Sequence, residues 1–393
     1  MSSQSTNLSR ISTIDDKEQR FISIDILRAL SIVLMVIIHS VIYTSSGGDY
    51  DQTLYFVVNS AIGVIPAPLF VFLMGMSLSI MAYRWKQLGL SESRITVSLI
   101  IRGFLIFTIG LVFAGAVWGI KFIFIWDILT LLGFSTILLT LIRNWNSIVL
   151  TILALIIVLV APILRQLFGY PKFWEYDEYQ PPIVLEEIIG GFLLNGYFPV
   201  LPWVSFAILG YVVGRFVLLN ENENIRERNR RVLIIFGISF IVSGFLAFGV
   251  GSLLSEGFVK AYLMELEFYH LSFTMFLILL GICFILFWVL HIMLDLKKVE
   301  YRWFYPFRVY SLFSLTVYIL HHIPIVLIPR IVGWIQFGDD YYYYKNIFSA
   351  LEGLLIGLTL VVIFYQLLVL WNKFSGKFSF EWVIRSIYKY PVR

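Results

Sequence analysis

Charge is scarce in this sequence. Asp, Glu, Lys and Arg make up 14% of its 393 residues, against roughly 25% in soluble globular domains. With a hydrophobic content of 59%, that scarcity excludes an ordinary soluble domain. Cysteine is nearly absent: Cys283 stands alone, which excludes a disulfide framework or a Cys-based metal site and leaves a packing role. Also missing are a glycine-rich phosphate loop and a serine-centred nucleophile elbow. No short apolar core with a small-residue cleavage site follows the polar first 21 residues, so no cleaved signal peptide is expected. There is no internal repeat, and a net charge of +4 calls for no nucleic-acid partner.

Long apolar runs are what the chain has in quantity. A hydrocarbon core about 30 Å thick takes roughly 20 helical residues to cross. Ten runs of that order occur, over 22–44, 56–83, 95–117, 122–142, 147–167, 198–219, 232–253, 269–293, 310–330 and 348–371. Lipid cannot satisfy free backbone polar groups, so the expected fold is all-α: a polytopic membrane helix bundle of about ten transmembrane helices. The expected organisation is an N-terminal tail (1–21), one transmembrane domain (22–371) and a C-terminal tail (372–393). With the N-terminus inside, the inner connections and tails carry 21 Lys and Arg and the outer loops 6. Positive connections stay cytoplasmic, so both termini are expected there, in a cell-membrane protein. The basic stretch "NENENIRERNRR" (220–231) is then an inner connection, and "YYYY" (341–344) beside Trp334 reads as an interfacial aromatic belt.

The first run, "IDILRALSIVLMVIIHS" (24–40), contains three residues that such a helix should avoid: Asp25, Arg28 and His39. A charge at a helix centre costs roughly 2.5–3.5 kcal/mol on insertion scales, so such residues are paired, interfacial or functional. His39 stands eleven positions after Arg28. At 100° and 1.5 Å per residue they share one face about 16 Å apart, and Asp25 joins that face three residues before Arg28. Two readings stand for Asp25 and Arg28: an interfacial anchor with a snorkelling arginine, or the inner end of a functional stripe. For His39, an imidazole that titrates near neutral pH, function is the expectation.

Arginine, ten residues, then histidine in "DILRALSIVLMVIIH" resembles the first-helix signature of the acyltransferase-3 family of membrane O-acyltransferases. The segments "PAPLFVFLMGMSLS" (66–79), "WDILTLLGFS" (126–135), "YFPVLPWVSFAILGYVVGR" (197–215) and "SLTVYILHH" (314–322) are similar to bacterial and archaeal relatives of the heparan-alpha-glucosaminide N-acetyltransferase catalytic domain. Both groups belong to one broad transmembrane acyltransferase assemblage. The lysosomal enzymes have asparagine where His39 stands and a proposed catalytic histidine in the loop after helix one. Here "TSSGGDYDQTLY" (44–55) has no histidine, which moves the catalytic expectation to His39. The resemblance implies an acyl-CoA donor, acetyl-CoA first, and a glycan or lipid-linked sugar acceptor.

Other residues complete the expected site. Asp127, at the outer start of the fourth span, is placed to orient the His39 imidazole, or else serves as a helix-start residue. His321 and His322 lie deep in the ninth span and point about 100° apart, and His321 is the one that matches the family-like segment. It either lines the active cavity or bonds another helix. Arg102, in the inner half of the third span, either meets a donor phosphate or thioester carbonyl or pairs with Asp25. No metal is expected, because the five histidines are dispersed and form no close helical ligand pair. Glu265, Glu267, His270 and His291 carry no assigned role. The outer connection 168–197 mixes aromatics with carboxylates, which suits a sugar's faces and hydroxyls or a plain interfacial loop. Pro66 and Pro68 are expected to bend the second span, and Gly210 with Gly214 to permit close helix packing. The expected activity is transfer of an acyl group from cytoplasmic acyl-CoA to an extracytoplasmic hydroxyl or amine, with His39 as general base. The alternative is a secondary transporter using the same residues as a proton relay or anion site.

Overall fold

A computed structural model describes residues 20–45, 52–168, 174–175, 178–179, 184–219, 222–255, 257–264, 268–269, 271–338 and 347–388. Among them nine helices are long and apolar enough to cross a membrane, and a tenth apolar helix, Ile128–Ile142, is shorter. The bundle is all-α apart from one antiparallel pairing of two-residue strands, Trp174 with Tyr179 and Glu175 with Glu178. The YYYY stretch, Glu265, Glu267, His270 and, in the aromatic-acidic connection, residues 169–173, 176–177 and 180–183 fall outside the described residues.

The elements that frame the site are α1 (Ile22–Thr44), α2 (Pro66–Gln87), α3 (Glu92–Trp118), α4 (Ile128–Ile142), α5 (Ser147–Leu167), α6 (Val200–Val213), α7 (Glu223–Ser252) and α8 (Phe273–Leu290). Beyond these come α9 (Tyr305–Leu312), α10 (Ser314–Leu320), α11 (His322–Phe337), α12 (Ala350–Lys373) and α13 (Phe380–Tyr388). Many starts carry the cap their sequence offers. Asp127, Asn146 and Ser272 accept from the first backbone N–H groups of α4, α5 and α8, and Ser349 with Glu352 forms a full capping box on α12.

Helix α1 packs against α2, α8, α9, α10, α11 and α12, which places its charged stripe inside the protein. Close packing depends on small residues at the crossings, where lipid supplies no hydrophobic drive. A Cβ at Gly210 of α6 would run into the Phe72 backbone of α2, and one at Gly214 would strike Ser79. The expected role of these two glycines is therefore met. Cys283 is buried in the core, as a packing residue should be.

Three sequence expectations are modified. The second span is interrupted instead of bent: a short helix Gln52–Phe56 and a π-helical turn Val57–Ile62 precede α2, which opens at Pro66. Proline suits a first helical turn because its missing N–H has no partner to lose there. The ninth span is three pieces, α9, α10 and α11, with Phe313 and His321 at the joints. Pro324 explains the second joint, since it removes an N–H and crowds the carbonyl four residues back. The segment expected as the C-terminal tail carries α13, which folds back onto α3 and α10.

Candidate active site

Local chemistry brings three histidines to one place. At the joint after α10 the His321 Nδ1 lies 3.0 Å from the Val317 carbonyl, and at the start of α11 His322 Nδ1 lies 3.1 Å from the Tyr318 carbonyl. A carbonyl only accepts, so each Nδ1 carries a hydrogen and turns its Nε2 away from its own helix. The His321 Nε2 meets His39 Nδ1 at 2.9 Å, with the two rings near-parallel at an interplanar angle of 18°. The His322 ring meets His39 edge-on, 5.1 Å between centroids. His321 and His322 are buried, while His39 keeps partial exposure. The expectation of dispersed histidines thus fails: the ligating atoms of His39, His321 and His322 all lie within 4.8 Å of one another. Sequence separation hid a contact that only the packing of α1 against the broken ninth span creates.

Aromatic rings surround this cluster. Tyr43 lies 5.4 Å from His39, Phe113 4.9 Å and Trp118 6.1 Å from His322, and Tyr43 packs on Trp118 at 5.2 Å. None was singled out from the sequence; Tyr43, four residues after His39 on α1, was the one with a readable signal.

Asp127 sits beside the cluster and reaches it through a tyrosine. Its two oxygens accept the Tyr318 hydroxyl at 2.6 and 2.8 Å, and one also caps α4 through Leu129 N–H at 3.0 Å. Tyr318 then holds His322 through its backbone carbonyl. The direct Asp127–His39 contact raised by the sequence gives way to this relay, because Asp127 is committed to Tyr318 and to the helix cap. The turn before it is fixed by Tyr197 and Phe198, whose N–H groups donate to Ile125 and Trp126.

At the other end of α1, Asp25 and Arg28 pair as their spacing implied, 3.8 Å apart. Ser311 of α9 joins them, donating to Asp25 at 2.7 Å and accepting from Arg28 at 3.2 Å, and Ser77 of α2 accepts a further Arg28 N–H. The Arg28 guanidinium is thus aimed by its own helix and by two neighbouring ones, and remains 23% exposed. Arg102 does not pair with Asp25; its NH1 lies 3.0 Å from the Met81 sulfur. His291 is structural: it meets Asp295 at 2.7 Å, and Asp295 accepts from Ser23, tying the end of α8 to the start of α1.

One carboxylate was missed altogether. Glu381 of α13 accepts from the N–H groups of Leu315 and Thr316 at 2.7 and 3.0 Å and from the Thr316 hydroxyl at 2.5 Å. It caps α10, the helix that leads into His321, from 65 residues away in sequence. Burial pushes its carboxyl above the ordinary glutamate range, and the Thr316 hydrogen bonds oppose that shift.

Residues 20–241 match the family model for the catalytic region of heparan-alpha-glucosaminide N-acetyltransferase, more than half of the chain. The chain belongs to this family. Membership points to acetyl transfer onto a glycan by a multi-pass membrane protein. No curated protein matches the sequence. The matched region contains Arg28, His39, Arg102 and Asp127 but ends before His321, His322 and Glu381. The family's part of the chain therefore supplies half of the histidine contact, and the remainder supplies the other half.

Proposed function

We propose that this protein transfers an acetyl group from acetyl-CoA, presented on the side of Arg28, to a hydroxyl or amine of a glycan or lipid-linked sugar arriving at the His39 end. The termini and the basic connections then face the cytoplasm, as the lysine and arginine distribution implies. The observation that carries the reading is the Val317–His321–His39 chain of hydrogen bonds. With His321 neutral, its Nδ1–H donates to Val317, so its Nε2 must accept from His39 Nδ1–H. The His39 tautomer is thereby set, and its Nε2 lone pair is the free base.

The chemistry follows from that lone pair. As the acceptor oxygen or nitrogen forms its bond to the thioester carbonyl carbon, its proton passes to His39 Nε2. Collapse of the tetrahedral intermediate breaks the carbon–sulfur bond, and the departing thiolate takes the proton back. General-base work of this kind contributes roughly 10²- to 10⁴-fold. Arg28, aimed by Ser77, Ser311 and Asp25, serves a donor phosphate away from the reacting carbonyl, and Arg102 is a second cation for the donor. Tyr43 and Trp118 offer rings against which a sugar face can lie.

The test uses purified protein in vesicles with radiolabelled acetyl-CoA and candidate sugar acceptors, comparing wild type with His39→Ala and Arg28→Ala. Labelled acceptor from wild type, with strong loss in His39→Ala, is expected. If wild type releases no CoA while a labelled solute crosses the membrane in a His39-dependent manner, the protein is a transporter and the enzymatic reading fails.

A further inference from the structure

A cavity of about 500 Å³ opens at the end of the bundle opposite the histidines, between α2, α3, the α4–α5 turn and the end of α6. Its charged lining is Lys86, Glu92, Arg143 and Arg215, and Ser79, Tyr83, Asn144 and Tyr211 add neutral polar groups. Three cations thus face one carboxylate, a formal excess of two positive charges. Glu92 is already shared, at 2.7 Å from Arg143 and 3.0 Å from Lys86. Arg143 is anchored further on the Thr140 carbonyl and is only 7% exposed. Arg215 bonds the carbonyls of Arg143 and Trp145, at 3.4 and 3.0 Å, neither of which offsets its charge. Cations at helix ends offset the partial negative charge there. Such capping explains the anchoring of Arg143 but not the convergence of Lys86 and Arg215 on the same cavity.

This place is separate from the Arg28 corner. Ser77, which bonds Arg28, and Ser79, which lines the cavity, are two residues apart on α2. They therefore point about 200° apart around its axis. The inference thus goes beyond the proposed reaction and does not depend on it.

We propose that the cavity binds a phosphate monoester, whose charge of about −1.5 to −2 near neutral pH matches the excess of the lining. Arg143, held rigidly by Thr140 and Glu92, presents a fixed edge, and Lys86 and Arg215 close on the phosphate from either side. Two sources offer this chemistry: a monoester lipid headgroup reaching in from the adjoining leaflet, or a soluble nucleotide.

The test is thermal unfolding of the full chain in nanodiscs of phosphatidylcholine alone, with phosphatidic acid, with phosphatidylglycerol, or with ADP added to the plain discs. Wild type should gain roughly 2–5 °C in Tm with a saturating monoester. Arg215→Gln and Lys86→Gln should each weaken binding roughly tenfold, the usual scale for one charge-assisted phosphate contact. Lys121→Gln, at the α3–α4 turn, should respond as wild type. Each variant is compared with its own ligand-free Tm, so a general loss of stability does not mimic the result. A shift with phosphatidic acid alone assigns the lipid source, a shift with ADP alone the nucleotide, and both support monoester recognition. No shift with either, an equal shift with the singly charged diester phosphatidylglycerol, or unchanged shifts in Arg215→Gln and Lys86→Gln overturns it.

Discussion

Replacing His321 distinguishes a base from the residue that aligns it. His321→Ala removes the acceptor at 2.9 Å from His39 Nδ1 while leaving His39 in place. A net hydrogen bond of this kind contributes about 0.5–1.5 kcal/mol, so loss of the aligned tautomer should lower kcat roughly 2- to 13-fold. His39→Ala removes the base itself and should cost roughly 10²- to 10⁴-fold in kcat, with KM much less affected. His321→Gln offers an amide oxygen near the former Nε2 position and should recover most of what alanine loses. The assay is release of CoA thiol, read with an aromatic disulfide reagent. The protein contributes little background, because its single cysteine, Cys283, is 1% exposed. The reasoning is refuted if His321→Ala is as damaging as His39→Ala and glutamine fails to rescue it. That result would make His321 the base.

Further outcomes follow from the same geometry. Glu381 has a raised carboxyl pKa, so the folded state holds its proton more tightly than the unfolded chain does. That contribution to stability is full below the ordinary glutamate pKa, about 4.3, and is lost as pH rises through the folded value. Glu381→Gln should remove this slope from a plot of Tm against pH; an unchanged slope counts against the buried cap. Tyr318→Phe deletes the hydroxyl on Asp127 and should destabilise the protein by about 1–3 kcal/mol, measurable by thermal unfolding. Chelation should leave acetyl transfer intact, because the lone pair on His39 acts without a metal; activity lost to a chelator and restored by zinc would make the three histidines a metal site. Gly210→Val places a branched side chain against the Phe72 backbone and should lower folded yield in detergent, whereas substitution at the open Gly249 should not.

The helix bundle was legible because apolar length is a direct physical requirement of the bilayer. α1 and α5 begin and end where the runs 22–44 and 147–167 do. The Asp25–Arg28 pair was legible for a similar reason, since it lies within a single helical turn. The breaks at Ile65 and His321 were harder: an apolar run looks continuous even where proline withdraws a donor. The cluster itself was only half visible, because a contact between residues 39 and 321 depends on how α1 meets α10. Asp127 was read as a carboxylate near the depth of His39, yet its partner in the structure, Tyr318, lies 191 residues away. Glu381 gave no signal, since a carboxylate in a short polar-apolar helix resembles any solvated surface residue.

Glu381 also sets an order of events. During synthesis, His321 and His322 emerge and can enter the bilayer while α12 and α13 have yet to be made, so the helix beneath them lacks its cap at first. Because the α10 cap comes from α13, the N–H groups of Leu315 and Thr316 wait for their acceptor until the chain has folded back on itself. The last described helix thus closes a gap left open through the making of every helix before it.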